Sequence, residues 1–277
     1  MKLLRGLGIG LLHVPILALP WRPLTWRHGI AFVVGYLLVA FALGGGLHRY
    51  FAHRAFRTSR AFQLLLGVLA AAYFADPIGF AGRHRHHHRW ADTERDLVGP
   101  HHGVWAAWIG HLLADDFRER ELGGATADLR RYPELVWLHR WSLVPGLAAV
   151  GLVWLVAGYT VLAVAYCLPL CLLGVHGISA VNYVCHRFGP RRFPTPDHST
   201  NHPVLGVLLL GEGWHNNHHR FPGSARCGLR WWELDIVYQC IRLLSAVGLV
   251  WAVREIPRRP RVAIGRSRLV ARADLTP

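Results

Sequence analysis

GEGWHNNHHRFP, residues Gly211–Pro222, carries His215, His218 and His219. On an α-helix, positions i, i+3 and i+4 lie on one face, so this short stretch aims three imidazoles in one direction. That suits a metal ion better than core packing. Two other stretches share the look. HRYFAH holds His48 and His53, and HRHHHR holds His84, His87 and His88 at the same i, i+3, i+4 spacing. His186 follows Asn182 by one helical turn. These stretches are expected to converge on one metal centre.

The apolar pattern says where that centre lies. Hydrophobic residues make up 52% of the 277. Ile30–Leu47 contains no charged residue, and from Leu143 to Val181 the only groups that titrate near neutral pH are His176, Cys167 and Cys171. A bilayer core takes ~20 apolar residues per helix, and a charge at mid-membrane costs ~2.5–3.5 kcal/mol. Uncharged runs of this length therefore indicate an integral membrane protein rather than a soluble helical one. The net charge is +15, from 31 basic and 16 acidic residues, with Lys2 the one lysine. Scattered between apolar spans, these arginines suit anionic lipid headgroups and the positive-inside rule. No recognition motif accompanies them, so no nucleic-acid partner is expected. The five cysteines form no CxxC pair and read as small buried thiols.

The fold class expected is all-α and membrane-embedded. One domain, residues 1–253, has four spans near 6–20, 30–47, 143–158 and 160–181, with a turn at Gly158-Tyr159. A cytosolic helical cap carries the histidines, and residues 254–277 form a basic tail expected to be disordered. Ala61–Phe74 and Pro203–Gly211 are too short to cross and read as interfacial or re-entrant. Leu234–Val253 reads as an amphipathic interfacial helix. Residues 89–142, with Asp92 and Asp96 among them, are expected to face water. Arg49, Arg54, Arg57 and Arg60 mark the cytoplasmic side after the 30–47 span. A helical hairpin returns to the side it left, so this topology brings every histidine cluster to one membrane face.

Nine candidate ligands result: His48, His53, His84, His87, His88, His186, His215, His218 and His219. They are too many for one ion and give four or five to each of two. Imidazole suits iron, zinc, copper and nickel, not calcium or magnesium. A structural zinc closes with four ligands, usually including cysteine, so two redox-active irons fit the count better. His48 and His53 lie ~140° apart on an ideal helix. They share an ion only if the helix ends or unwinds, which the Gly44-Gly45-Gly46 triplet permits. Asn182 is spaced to hold a metal-bound water. Glu212 forms a single Glu-x-x-His with His215, where the soluble carboxylate bundles need two, and so reads as a partner that orients a ligand.

The pattern HxxxxH (48–53), HxxHH (84–88) and HxxHH (215–219), together with His186, resembles the membrane fatty acid desaturases. The acyl-CoA Δ9 (stearoyl-CoA type) branch, from a bacterium, is the nearest in look. GEGWHNNHHRFP is similar to that branch's third box, NYVCH (182–186) to its asparagine–histidine element, and GLRWWELD (228–235) to the segment after the box. The resemblance covers roughly residues 30–255. The chain departs from the pattern at Asp76–Gly82, where tryptophans usually stand, and at Asp96-Leu97-Val98, where Asp-Pro-His is usual. Trp108 and His111 also stand exchanged relative to the pattern.

The resemblance implies an enzyme with two iron ions that uses O2 to place a cis double bond in a saturated fatty acyl chain, acyl-CoA for preference. Electrons come from a separate ferredoxin or cytochrome. The site lies on the cytoplasmic face of a multi-pass protein of the bacterial inner membrane. An arginine-rich face is suited to steering an acidic donor. Arg83, Arg85, Arg187, Arg191 and Arg192 are candidates for a carrier's phosphates, against the plainer reading of solvated arginines. A hydroxylase or alkane monooxygenase uses similar boxes. A histidine-rich metal transporter places ligands near mid-membrane, where only His176 lies.

Overall fold

The computed structural model describes residues 2–96, 98–113 and 124–256. The basic tail from 257 onward and the acidic stretch 114–123 lie outside the described residues.

Two apolar helices organise the chain. Trp26–Ala52 has 27 residues and Leu143–Val184 has 42. At a rise of ~1.5 Å per residue the second would be ~63 Å long, twice a ~30 Å bilayer core. It breaks at Gly158, whose φ of 79° and ψ of 175° lie outside the helical region, where the sequence pattern puts a hairpin turn. Leu147, Leu152 and Leu155 on this helix face outward, Leu155 being 85% exposed. So much open apolar surface on a long helix suits lipid, not water. Two helices, rather than the four spans expected, are long and apolar enough to cross a membrane, because Gly6–Trp21 is short and the hairpin's halves join at Gly158. The first helix, Lys2–Leu17, lies along the hairpin, where the Tyr159 hydroxyl donates to the Pro15 carbonyl at 3.2 Å.

The histidine-bearing end of Trp26–Ala52 does not unwind after its glycines. It widens. Phe41–Ala52 is a π-helix, closed by i→i+5 hydrogen bonds, and the His53 N–H donates to the His48 carbonyl at 3.2 Å. One extra residue per turn brings an i, i+5 pair onto one face, which an α-helix holds apart. The chain then turns sharply at Arg54, with φ of 51°.

Short helices build the cap. Arg60–Ala71 starts at Ser59, whose hydroxyl accepts the Phe62 N–H at 3.1 Å. Pro77–Trp90, the second-box helix, starts at Asp76. Its carboxylate accepts the Ile78 and Gly79 N–H groups, each at 3.0 Å, and Pro77 fills the first turn. Ile236–Ala246 is shorter than the expected 234–253 helix. The chain turns at Gly248 and pairs Val250–Trp251 antiparallel with Arg57–Thr58, a two-stranded ribbon in an otherwise helical fold. Phe51, Phe56, Leu66, Ile78, Leu135 and Ile241 form the buried core joining these pieces.

The long helices meet backbone to backbone at Gly35, where a Cβ would lie 1.9 Å from the Ala165 carbonyl oxygen. Small residues permit such approach between membrane helices. Gly35→Val is expected to lower stability by about 1–3 kcal/mol or more through overpacking, seen as a depressed unfolding temperature in detergent. Gly29→Ala, with nothing within 4 Å of the new Cβ, serves as the unaffected control.

Candidate metal centre

All nine histidines gather into two adjoining groups. His48, His53, His84, His88 and His218 form one, and His87, His186, His215 and His219 the other. Within each group the ligand nitrogens lie within 4.8 Å of one another. The groups touch, with the rings of His88 and His219 stacked 4.4 Å apart.

Helix geometry explains the sorting. Residues four apart differ by ~40° in direction, while the third lies ~60° to the other side. On Pro77–Trp90, His84 and His88 enter the first group and His87 the second. On His215–Arg220 the senses exchange, His215 and His219 entering the second group and His218 the first. Each HxxHH box therefore straddles both groups. The asparagines between the third-box histidines pin the helix from outside. Asn217 donates to the Cys227 carbonyl at 2.9 Å and to Glu233 at 3.0 Å, and the Asn216 side-chain oxygen accepts the Arg192 and Phe193 N–H groups at 2.8 Å each. Trp214, fully buried, donates its indole N–H to the Leu234 carbonyl at 2.8 Å. This ties the box to the following GLRWWELD segment.

Four rings are held from behind by carboxylates. His48 Nδ1 donates to Glu212 at 2.5 Å, His87 Nδ1 to Asp96 at 3.1 Å, His186 Nδ1 to Asp92 at 2.8 Å and His219 Nδ1 to Asp197 at 2.8 Å. A proton on Nδ1 leaves Nε2 as a bare lone pair. Those lone pairs point inward. Nε2 atoms of His48 and His218 lie 3.0 Å apart, of His218 and His88 2.8 Å, of His53 and His84 2.8 Å, and of His186 and His215 3.0 Å. The buried Nε2 atoms of His87 and His219 have no hydrogen-bond partner among the described residues. Converging lone pairs in a buried space call for cations, so the donor set fits metal ions, and carboxylate-backed histidines are the usual way to orient such ligands.

Charge agrees with geometry. Burial, reinforced by neighbouring histidines, pushes His53, His84, His88, His215 and His218 well below the usual histidine range. Burial takes His219 to about 3, although Asp197 pulls upward. Neutral imidazole is the form that binds metal. Against the upward push of burial, hydrogen bonds with His87 hold Asp96 at about 2, and His48 with Arg49 holds Glu212 at about 2. Buried Arg49 also donates to the Ala225 carbonyl at 2.7 Å and pairs with Asp235 at 2.9 Å, linking the first box to the third.

Asp92 and Asp96 do not face water as expected. The chain folds back after Trp90 through two tight turns, leaving the Asp92 side chain 6% and Asp96 0% exposed. The available signal was two acids soon after an HxxHH box. Nothing in its spacing singled out Asp197. Asn182 is half-buried one turn before His186. His176 joins a separate cluster, accepting the Trp108 indole N–H at 3.2 Å and meeting His13 at 3.1 Å. Of the arginines considered for phosphates, Arg85 clamps Asp128 at 2.7 Å and the Phe51 and Ala52 carbonyls at 2.8 Å. Arg191 holds the Thr195 and Asp197 carbonyls at 2.8 and 2.7 Å, and Arg192 reaches Glu233 at 3.3 Å.

Removing a backing carboxylate by Asp197→Ala is expected to weaken metal binding ~10–100-fold, measured by competition with a chelator. The metal-free protein is expected to lose stability as pH falls below about 6.5. Its buried histidines have lowered folded-state pKa values, so the unfolded chain takes up protons that the folded chain refuses. Asp96 and Glu212 add to the loss as pH falls from about 4 towards 2. Unfolding temperature against pH, with and without chelator, checks this; bound metal is expected to raise it near neutral pH, an advantage that shrinks as protons compete for the imidazoles at lower pH.

A family model described as fatty acid desaturase matches residues 23–249. An icosanoyl-CoA 5-desaturase of Limnanthes douglasii is 34% identical over 81% of this chain and 65% of its own length. A probable chloroplast lipid desaturase of Arabidopsis thaliana is 35% identical over 85% and 62%. An sn-1 stearoyl-lipid 9-desaturase of Anabaena variabilis is 33% identical over 82% and 83%. The chain thus spans a little under two thirds of the length of the first two relatives. The family match takes in all three histidine boxes and the His186 element, and on that basis the chain belongs to the fatty acid desaturase family.

Proposed function

We propose that this protein is an oxygen-dependent fatty acyl desaturase that places a cis double bond, at a Δ9-type position, in a saturated chain carried on coenzyme A. The observation that carries the reading is the division of nine histidines into sets of five and four with inward-facing nitrogens. Relatives named for CoA-linked and lipid-linked chains support acyl substrates as a class. The resemblance of the third box and its following segment to the stearoyl-CoA type is the ground for the CoA form and the Δ9 position.

Two irons fit the donor set, one for each group, with Asn182 spaced to hold a water on the four-histidine side. When bound, the pair supplies the oxygen chemistry that breaks an unactivated C–H bond. In the overall reaction one hydrogen leaves each of two adjacent carbons. Together with two electrons and two protons from outside, these reduce one O2 to two waters. The chain's own residues have three tasks. Asp92, Asp96, Asp197 and Glu212 fix four imidazole planes and their tautomers. The buried shell keeps bulk water out. The apolar helices present the site to an acyl chain entering from the bilayer. The reading places four crossings in a bacterial inner membrane with the histidines on the cytoplasmic side, where the arginine-rich ends lie and where a soluble ferredoxin or cytochrome can reach.

Mass spectrometry of fatty acids from cells expressing the wild type is expected to show new monounsaturated chains, and His218→Ala none. The purified wild type is expected to carry about two irons per chain. Equal unsaturation in both strains overturns the site assignment. Products heavier by one oxygen, in place of products lacking two hydrogens, mark a hydroxylase instead.

A further inference from the structure

The carboxylates behind the rings are not shared evenly between the two histidine groups. In the group of four, His87, His186 and His219 are held by Asp96, Asp92 and Asp197 in turn. In the group of five, Glu212 behind His48 is the one such carboxylate among the described residues. We propose that this makes the groups unequal metal sites. The four-histidine group holds its ion more tightly and keeps it the more oxidised, and Arg49 is the residue that sets the five-histidine group apart. The proposal rests on the two-iron reading above.

Two observations carry it. The three aspartates are buried charges without a counter-charge of their own. Their side chains are at most 7% exposed. Asp92 accepts the His198 N–H at 2.7 Å, Asp96 the Asp92 and Val98 N–H groups at 3.0 and 3.2 Å, and Asp197 the Ser199 N–H at 2.9 Å. Hydrogen bonds of this kind favour the charged form of a carboxyl group. No arginine forms an ion pair with any of the three among the described residues. Arg187 and Arg191 line a surface cleft with Asp92, but both are exposed, where water and salt screen them.

Glu212 is placed differently. One of its oxygens accepts from His48, and the other accepts from Arg49 Nη2 at 2.8 Å. The Arg49 side chain is 1% exposed, so its charge acts on Glu212 with little screening. Arg49 also pairs with Asp235, which is held by the Cys227, Gly228 and Tyr238 N–H groups and hydrogen-bonds no histidine among the described residues.

A carboxylate on Nδ1 raises the basicity of the Nε2 that faces the metal. Its buried charge also attracts Fe3+ more than Fe2+. Three unopposed carboxylates therefore favour retention of the ion and its higher charge. One electron supplied to an oxidised pair by an external donor converts Fe3+ to Fe2+ in the five-histidine group, with no bond made or broken, and the other ion stays Fe3+. Ligand number alone predicts the reverse order of retention.

The test uses the full chain in lipid nanodiscs, carrying Mössbauer-active iron, with Asp197→Asn, Glu212→Gln and Arg49→Gln beside the wild type. Asp197→Asn shifts the signal of the four-histidine ion and Glu212→Gln that of the five-histidine ion, which assigns both. A ferrous chelator is expected to remove iron in two phases, the five-histidine signal vanishing about tenfold faster or more. One equivalent of ferricyanide, a one-electron oxidant, is expected to turn the four-histidine signal ferric first. Asp197→Asn is expected to speed the slow phase about ten- to a hundredfold and leave the fast phase as in the wild type. It raises that ion's potential by about 59 mV for each tenfold loss of preference for Fe3+. Arg49→Gln is expected to slow the fast phase, a tightening that a merely structural role does not produce. If that variant does not fold, Asp197→Asn and Glu212→Gln carry the test. Equal rates, a four-histidine ion that leaves first, or oxidation that begins in the five-histidine group overturns the proposal while the two-iron reading stands. A wild-type chain that binds a single iron overturns the two-iron reading, and the proposal with it.

Discussion

Neutral imidazoles with inward lone pairs, held in a space closed to water, are a costly arrangement for a protein without a counter-charge. Lone pairs about 3 Å apart repel, and protonating the rings would bury several positive charges at once. Most of the cap is organised around making this arrangement unavoidable. Glu212, Asp92, Asp96 and Asp197 take the Nδ1 protons of four rings. Buried Arg49 neutralises Glu212 and Asp235 together. The carboxylates thus pass their charge inward through imidazole and raise the basicity of the nitrogens they face. The cap is expected to be stable only with cations in place.

The backbone meets the requirement with two devices. In the first box, five-residue spacing is reconciled with one face by the π-helix Phe41–Ala52, at the end of a long apolar helix that restrains it. In the second and third boxes the ordinary α-helical angle sends two histidines one way and one the other. Two crossed HxxHH helices with exchanged senses then give both groups ligands from both boxes. HRYFAH adds His48 and His53 to the three that one group receives from these boxes, making five, and the other group receives His186 from the end of the hairpin helix, making four. The groups also differ in surroundings. The second borders a surface cleft through Asp92 and His186.

Much of this was legible in the residues. HxxHH needs only helical periodicity to be read, and the uncharged runs need only the cost of charge in lipid. The HxxHH histidines follow from helical spacing alone, and Glu212 reads as a partner that orients some ligand, but its place behind His48, 164 residues away, is a tertiary contact. Other parts were not legible. Asp92 and Asp96 look like solvated acids because burial depends on how the chain returns after Trp90, which no local rule describes. Asp197 sits in a loop whose only anchor is the fold around it. The end of the last helix was misplaced because apolar residues continue past Ala246, while Gly248 and the pairing of Val250–Trp251 with a distant strand stop it.

By itself the amino-acid order determined the chemistry on offer: which side chains can ligate, which segments prefer lipid, and which histidines share a helix face. These are properties of single residues and of spacing within one or two turns, so they survive without a fold. Only the tertiary structure decided how the nine rings divide five and four, which carboxylate stands behind which ring, and where the second group approaches the surface. Those outcomes depend on contacts between segments more than ninety residues apart, such as Asp92 with His186 and His88 with His219, where backbone geometry and not local preference sets the distance.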